Sequence, residues 1–560
     1  MDSTLWTAHY DPGVPHTLAP YPERTLADVI SESARQRPDH PALLFKGLAI
    51  SYARLEQLST AFASMLIELG VKRGDRVALL LPNTPQMVLA LLGTWKAGGI
   101  AVPLNPLYTE HELEHALQDC GAETIVVLTP FYNKIKAIQA GTRLRKVFAT
   151  NIKEYLPTTL RILFSLVKEK KEGHRITLQP GDLWLGDLLD KYATAPLPEI
   201  QVKPGDPAIL LFSGGTTGTP KAALGTHRGL VMSGMQVRSW FKNLLVEWDD
   251  IIVLNMPLFH AYGLAGVFTA GVVGHNPFAV IPNPRDLDDM LETIQKVRPA
   301  FLPGVPTLFN ALLNHPKVQA GKADLKSLKL CISGASPLLA ETKQRFESIT
   351  GGSISEAYAL SESMLAATMT PIQGEYKPGS VGLPLPDVEI RITDADSGQG
   401  DLDPEQVGEI LMRAPQLMVG YWEKPDETAN AIRDGWLFTG DIGYLDRDGY
   451  LFIVDRKKDL IKPGGFQVWP REVEEVIASH PAVLEVCVGG VPDPYQVEAV
   501  KAWVVLLPEQ QLSADELRLY CRENLAAYKV PKHIEFRDSL PKTTVGKVLR
   551  RELAHEHQTA

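Results

Sequence analysis

The chain has 560 residues, too many for one hydrophobic core, so two or three domains are expected. Its 45% hydrophobic and 22% charged content is that of an ordinary globular protein, and a net charge of −10 argues against nucleic acid as a main partner. Cys120, Cys331, Cys487 and Cys521 stand far apart with no C-x-x-C pair, which predicts reduced thiols in a cytoplasmic protein and no disulfide framework. The opening residues, MDSTLWTAHYDPGVP, lack the pattern of a signal peptide. The longest apolar stretch, GLAGVFTAGVVG at 263–274, is shorter than the ~20 residues of a bilayer span.

From residue 26 helical and strand patterns alternate. TLADVISESARQRP spaces its apolar residues as a helix and stops at Pro38. RVALLLPN predicts a short buried strand, TPQMVLALLGTWKAGG a helix closed by Gly98 and Gly99, and IAVPLNP another strand. This rhythm predicts an α/β fold with a largely parallel sheet, and it resumes around 207–235 and 250–365. From 380 to 455 short strands (VEIRI, GEILMR, YLFIVD) and turns (RDG, DRDG) predict a β-rich subdomain. DRKKDLIKPGG then marks a boundary, after which PREVEEVIASHP, VKAWVVLL and ADELRLYCRENL predict a small α+β domain.

Two segments carry competing readings. HELEH at 111–115 matches the zinc-protease pattern, but no third ligand follows, and Leu113 and Ala116 suit the inner face of an ordinary helix after NPLYT. IKEYLPTTLRILFSLVKEKKE at 152–172 puts Leu156, Leu160, Leu163, Phe164 and Val167 on one stripe, with Arg161, Lys168, Lys170 and Lys171 nearby. It reads either as a connecting helix packed on the domain or as a basic amphipathic helix lying on an anionic membrane.

The strongest chemical signal is LFSGGTTGTPKAALGTHRG at 211–229, preceded by the apolar run PAILLF. Gly214, Gly215 and Gly218 let backbone N–H groups approach an anion, Ser213, Thr216, Thr217 and Thr219 add hydroxyl donors, and Lys221 adds a charge that reaches phosphate. The Gly-Lys-Ser/Thr ending of the P-loop is absent, because Pro220 precedes Lys221 and Ala222 follows it. Further stretches are weak singly: PLFHAYG with His260, ISGASPL with its glycine turn, EAYALSES, WLFTGDIGYLDRDGYLFIVDRKKDLIKPGGFQV, and LPKTTVGKVLRR with Lys547.

Taken in order, SGGTTGTPKAA, YALSES, GWLFTGD, DRKKDLIKPGGFQVWPREVE and PKTTVGKVLRR resemble the signature blocks of the adenylate-forming superfamily of acyl-CoA synthetases, luciferases and carrier-protein adenylation domains. The resemblance runs from about residue 25 to 552. NPLYTEHELEHALQDCGA and the segment near 150–175 look like the bacterial long-chain fatty-acid–CoA ligases, in which HELEH falls on a helix.

This resemblance implies a large N-terminal domain at 1–455 (its β-rich part at about 375–455), a hinge at 456–462 containing Lys458, and a mobile C-terminal domain at 463–560. It implies ATP, Mg²⁺ and CoA as cofactor and substrates, and a fatty acid activated to acyl-AMP and passed to CoA. Loop 213–221 would hold phosphates, Glu362 and Thr216 would meet Mg²⁺, and Lys547 would bridge the carboxylate and the α-phosphate. Asp441 would meet the ribose, Arg456 the ribose or a phosphate, and Tyr358 the adenine, with Ser361 and the turn Gly334, Ala335, Ser336 nearby. His260, Tyr262 and Gly304 would line the acyl pocket, and Gly464, Gly465 and Phe466 the path of CoA. Some long-chain enzymes carry a gating tryptophan just after the His260 position; here Tyr262 and Gly263 follow. Medium-chain or aryl acid–CoA ligases, an enzyme loading a carrier protein, and a nucleotide- or lipid-binding protein without the chemistry stay open, as do a homodimer and peripheral contact with the inner face of the cytoplasmic membrane.

Overall fold

The computed structural model describes residues 4–196, 200–213, 220–463, 466, 468–493, 496–543 and 548–559. The alternation that begins at residue 26 folds into two large mixed sheets. The first has nine strands, in the order Leu383–Pro384, Leu365–Met369, Ser353–Leu360, Leu330–Ser333, Phe301–Gly304, Ile252–Leu254, Phe278–Val280, Pro41–Phe45 and Leu48–Ser51. From Ser353–Leu360 to Pro41–Phe45 the strands run parallel, and both ends are antiparallel. The second has eight, in the order Gly420–Tyr421, Ala222–Thr226, Pro207–Phe212, Ile100–Pro103, Arg76–Leu80, Thr124–Leu128, Lys146–Thr150 and Leu183–Trp184. It is parallel from Pro207–Phe212 onward, with the other two strands added antiparallel.

Helix His227–Trp240 touches both sheets, through Leu365–Met369 on one side and Pro207–Phe212 and Ala222–Thr226 on the other. Helix Pro85–Lys96 is buried on every face, as its PQMVLALLGTWK sequence requires of an inner helix. Thr84 caps it, and Pro85 sits where its missing N–H costs nothing. A Cβ at Gly93 would lie 2.8 Å from the Ser59 carbonyl, so this glycine lets helix Tyr52–Glu68 cross closely.

The β-rich stretch forms a third, antiparallel sheet of Glu389–Thr393, Gly408–Arg413, Trp436–Leu445, Ile432–Arg433 and Leu451–Arg456. A three-stranded sheet (Val483–Asp493, Val497–Leu506, His533–Phe536) follows, with its own apolar cluster and helices Pro470–Ala478, Ala514–Asn524 and Arg550–Thr559. All four cysteines are buried and unpaired.

Glu110–Cys120 is a helix with a Thr109–Glu112 capping box, and it buries Leu113 and Ala116 as expected while His111 is exposed. The stripe at 152–172 needs correction. A 3-10 turn, Ile152–Tyr155, precedes Pro157, and the helix proper is Thr158–Val167. The proline starts a new helix, so the stripe splits: Leu156 packs on the main core and Phe164 is buried against His174. Leu160, Leu163 and Val167 are exposed, together with Ile162 and Leu166.

Candidate active site

Three strands bring together the residues expected at the ribose and base. Asp441 on Trp436–Leu445 stands in register opposite Arg456, the last residue of Leu451–Arg456. The Tyr358 hydroxyl, from Ser353–Leu360, donates to Asp441 Oδ2 at 2.7 Å, and Arg456 Nε lies 2.9 Å from Oδ1. Asp441 is 3% exposed, so both carboxylate oxygens are fixed in orientation by these partners. Burial, then Asp441, raises the Tyr358 hydroxyl far above its usual range, which keeps it a donor. Asp441 likewise raises Arg456, whose charge is permanent.

The chain turns after strand Leu330–Ser333 at Gly334, Ala335 and Ser336. Gly334 is buried, its N–H directed at the Gly304 carbonyl at 3.3 Å, whereas Ala335 and Ser336 are exposed. Ala335 has φ +69°, a left-handed conformation that costs a residue with a Cβ about 1 kcal/mol or more. Beside this turn lies a cavity of about 70 Å³ lined by His260, Tyr262, Phe301, Gly334, Ala335 and Tyr358 among others.

Tyr262 begins a turn of π-helix, Tyr262–Phe268, a local widening frequent at functional sites. Its buried hydroxyl faces the carbonyls of Ile332 at 2.9 Å and Gly304 at 3.1 Å, and His260 Nδ1 accepts from its backbone N–H at 3.2 Å. Any Cβ at Gly263 would come within 2.2 Å of the Pro257 carbonyl, so only glycine permits this entry.

A second cluster forms around Glu362. Its Oε1 accepts from the Tyr421 hydroxyl at 2.8 Å, and its carbonyl accepts from Met418 N at 2.9 Å. Tyr421 is placed by the two-residue strand Gly420–Tyr421, which pairs with Leu224 and Ala223 on Ala222–Thr226. Lys221 is ion-paired with Glu427 and lies over the Tyr421 ring, 5.2 Å from its centroid. Ser213 N donates to the Lys221 carbonyl at 2.8 Å, tying together the two ends of the glycine- and threonine-rich segment. Gly214, Gly215, Thr216, Thr217, Gly218 and Thr219 themselves lie outside the described residues.

Tyr421 and Glu427 carry no chemical signature in GYWEKPDET, and only the edge pairing assigns them to this cluster. Ser361 sits in the adjoining turn, its carbonyl accepting from Met364 N at 3.1 Å. Lys458 is exposed within the 3-10 turn Lys457–Asp459, and Phe466 is exposed with its ring stacked 4.7 Å from that of Tyr528. Gly464, Gly465 and Lys547 lie outside the described residues.

A buried carboxylate oriented by a tyrosine and an arginine, on a mixed α/β body that also carries a glycine- and threonine-rich loop, defines a nucleotide-binding α/β enzyme. Residues 30–422 match the model of the AMP-binding enzyme family and residues 472–547 that of the AMP-binding enzyme C-terminal domain. The chain belongs to the AMP-binding enzyme family. It is 39% identical to a long-chain-fatty-acid–CoA ligase of Bacillus subtilis (strain 168), over 98% of both chains. It is 38% identical to one of Escherichia coli O157:H7, over 99% of this chain and 98% of the other. Among solved structures, MatB from Rhodopseudomonas palustris with ATP bound superposes with a TM-score of 0.82 at 29% identity, covering 95% of this chain and 99% of that one. Its apo form gives 0.72 at the same identity, covering 96% and 99%. The arrangement described here is thus nearer to the ATP-bound form.

Proposed function

We propose that the protein is an AMP-forming acid–CoA ligase acting on a long-chain fatty acid. The Tyr358–Asp441–Arg456 clamp beside a mostly apolar cavity carries this reading, and the activity named for its full-length relatives supports the choice of acid.

A carboxylate cannot acylate a thiol directly, because oxide would have to leave. In the proposed first step a carboxylate oxygen bonds to the α-phosphorus of ATP and the bond to pyrophosphate breaks. In the second the CoA sulfur, having lost its proton, bonds to the acyl carbon and AMP departs. The first step presses a carboxylate against a triphosphate, so preorganised positive charge dominates it. Loop 213–221 would hold the β- and γ-phosphates, with Lys221 exchanging Glu427 for phosphate. Lys547 would bridge the carboxylate and the α-phosphate, and Asp441 would accept from the ribose hydroxyls.

Glu362 would hold Mg²⁺, with Thr216 adding a hydroxyl. The donor set fits: a carboxylate is a hard oxygen donor, and magnesium commonly takes one or two carboxylates plus substrate phosphates. Among the described residues no group of three or more His, Cys, Asp or Glu side chains would hold a metal without the nucleotide. When bound, the ion neutralises charge on the phosphate oxygens.

The cavity, at about 70 Å³, holds only a handful of water-sized groups at ~10–15 Å³ each, far short of a long acyl chain. Tyr262, held by the Ile332 and Gly304 carbonyls, is one of the side chains that line it. Lys458 would be the hinge about which residues 463–560 swing between the two steps, bringing Gly464, Gly465 and Phe466 to the site.

Membrane contact would follow from helix Thr158–Val167. Ile162, Leu163, Leu166 and Val167 are each more than half exposed, and Arg161, Lys168, Lys170 and Lys171 are exposed beside them, a pairing that suits an anionic lipid surface. No described helix is long and apolar enough to cross a membrane.

The deciding experiment measures conversion of ATP to AMP and pyrophosphate with CoA across straight-chain acids from butyrate to palmitate, with benzoate alongside. AMP should appear only with acid, and kcat/KM should rise with chain length. Acid-independent hydrolysis would sink the ligase reading, and a maximum at butyrate or benzoate the long-chain one.

A further inference from the structure

Arg550 opens the C-terminal helix, three residues after Lys547. The residues on either side of the segment carrying Lys547 are tied together. Lys542 pairs with Val548, and Leu549 N donates to the Pro541 carbonyl at 2.8 Å. The Arg550 guanidinium then meets three carboxylates: Nη1 lies 2.7 Å from Asp459 and 3.5 Å from Asp455, and Nη2 lies 2.9 Å from Glu474.

These acids belong to three different pieces of the chain. Glu474 is on helix Pro470–Ala478, beside the last sheet, where it also accepts from Val488 N at 2.8 Å. Asp459 is in the turn that contains Lys458. Asp455 is the last residue but one of strand Leu451–Arg456 in the β-rich sheet, on the other side of that turn. It is 6% exposed and also accepts from Arg471 N at 2.7 Å, while Arg471 Nη1 donates to the Ile453 carbonyl at 2.6 Å. Two arginines of the C-terminal unit thus grip the end of one strand of the N-terminal unit. Rotation about Lys458 would carry both away from Asp455 but leave Arg550 on Glu474, which moves with it.

We propose that Arg550 is a positioning residue which, through Asp455, latches the C-terminal unit in the orientation that serves adenylation. The inference rests on the reading of Lys547 as the adenylation lysine. The arrangement described here, nearer the ATP-bound relative than the apo one, is the one in which the latch is closed. A buried carboxylate deprived of its cation is costly, so loss of either partner shifts the unit away from this orientation.

The test compares Asp455→Asn and Arg550→Lys with the parent in each half-reaction: acid-dependent ATP–pyrophosphate exchange, and CoA acylation from preformed acyl-adenylate. Lys547→Ala is the control. Asp455→Asn keeps the shape of the side chain and leaves the Arg550–Glu474 pair in place, so it serves even if the arginine variant fails to fold. Exchange should fall on the order of tenfold or more in both variants, the effect of losing one charge-assisted contact, while acylation stays within about threefold. A merely structural arginine would lower both steps together. Equal losses, or unchanged exchange in Asp455→Asn alongside a crippled Lys547→Ala, overturn the latch alone. Intact exchange in Lys547→Ala overturns the reading of that lysine and the latch with it.

Discussion

The Tyr421 hydroxyl donates to the Glu362 carboxylate at 2.8 Å, across 59 residues of sequence. Burial, then the charge of Glu362, raises that hydroxyl far above its usual range, so it stays a donor at any working pH. Glu362 thus presents its remaining lone pairs from one fixed direction, next to the Tyr421 ring over which Lys221 lies.

Tyr421→Phe keeps the ring under Lys221 and removes only the donor. A hydrogen bond to a charged group contributes roughly 1.5–3 kcal/mol, so adenylation at subsaturating Mg·ATP should fall about tenfold or more. The Mg²⁺ concentration for half-maximal exchange should rise while the melting temperature moves little. An unchanged magnesium dependence would show that the hydroxyl does nothing for Glu362.

His227 supplies a pH prediction. It is 1% exposed at the start of helix His227–Trp240, edge-on to Trp95, and its electrostatic neighbours are Asp206 and Asp28. Among the described residues neither ring nitrogen finds a hydrogen-bond partner. Burial lowers its pKa to about 4, against about 6.5 in the unfolded chain. Above pH 6.5 both states are neutral. Below it the unfolded state binds a proton that the folded state refuses, so stability is lost as the pH falls from 6.5 towards 4. His227→Phe should therefore lose about 2 kcal/mol less than the parent between pH 7 and 5. Urea transitions followed by tryptophan fluorescence at the two pH values would measure this; parallel losses in both proteins would refute it.

The exposed face of Thr158–Val167 predicts salt-sensitive vesicle binding. Each cation near an anionic surface contributes about 1 kcal/mol, and salt screens it. The protein should sediment with phosphatidylglycerol vesicles at low salt and leave them at high salt. Leu163→Ser with Leu166→Ser, or Lys170→Glu with Lys171→Glu, should each abolish binding without touching ATP–pyrophosphate exchange. Binding that survives both pairs of changes would exclude this helix as the contact.

Much of this architecture is legible in the amino-acid sequence, for local reasons. RVALLLPN and IAVPLNP are apolar runs cut off by turn residues, and both are buried strands. Tyr358, Asp441 and Arg456 lie in separate motif blocks, and two contacts under 3 Å join them. What escaped depends on pairing at a distance. Gly420–Tyr421 is a strand only because Ala222–Thr226 offers it a free edge, and two residues have no periodicity. The stripe at 152–172 has a helical period, but period does not tell which neighbours cover it, and Pro157 reset the helix so that Phe164 turned in while Leu163 turned out. Tyr262 is held by backbone carbonyls, which leave no mark in side-chain identity.

The first sheet also sets an order of events during synthesis. Leu43 pairs with Phe278, so strand Pro41–Phe45 has its parallel partner only after roughly 235 further residues have been made. At about 5–20 residues per second the ribosome takes some ten to fifty seconds over that stretch. Until then Pro41–Phe45 has only its hairpin neighbour Leu48–Ser51 to cover one edge. An apolar strand left open that long is a template for other chains. The nascent protein is thus a natural client for chaperones through its first half, and its yield on expression should depend on them more than its finished stability suggests.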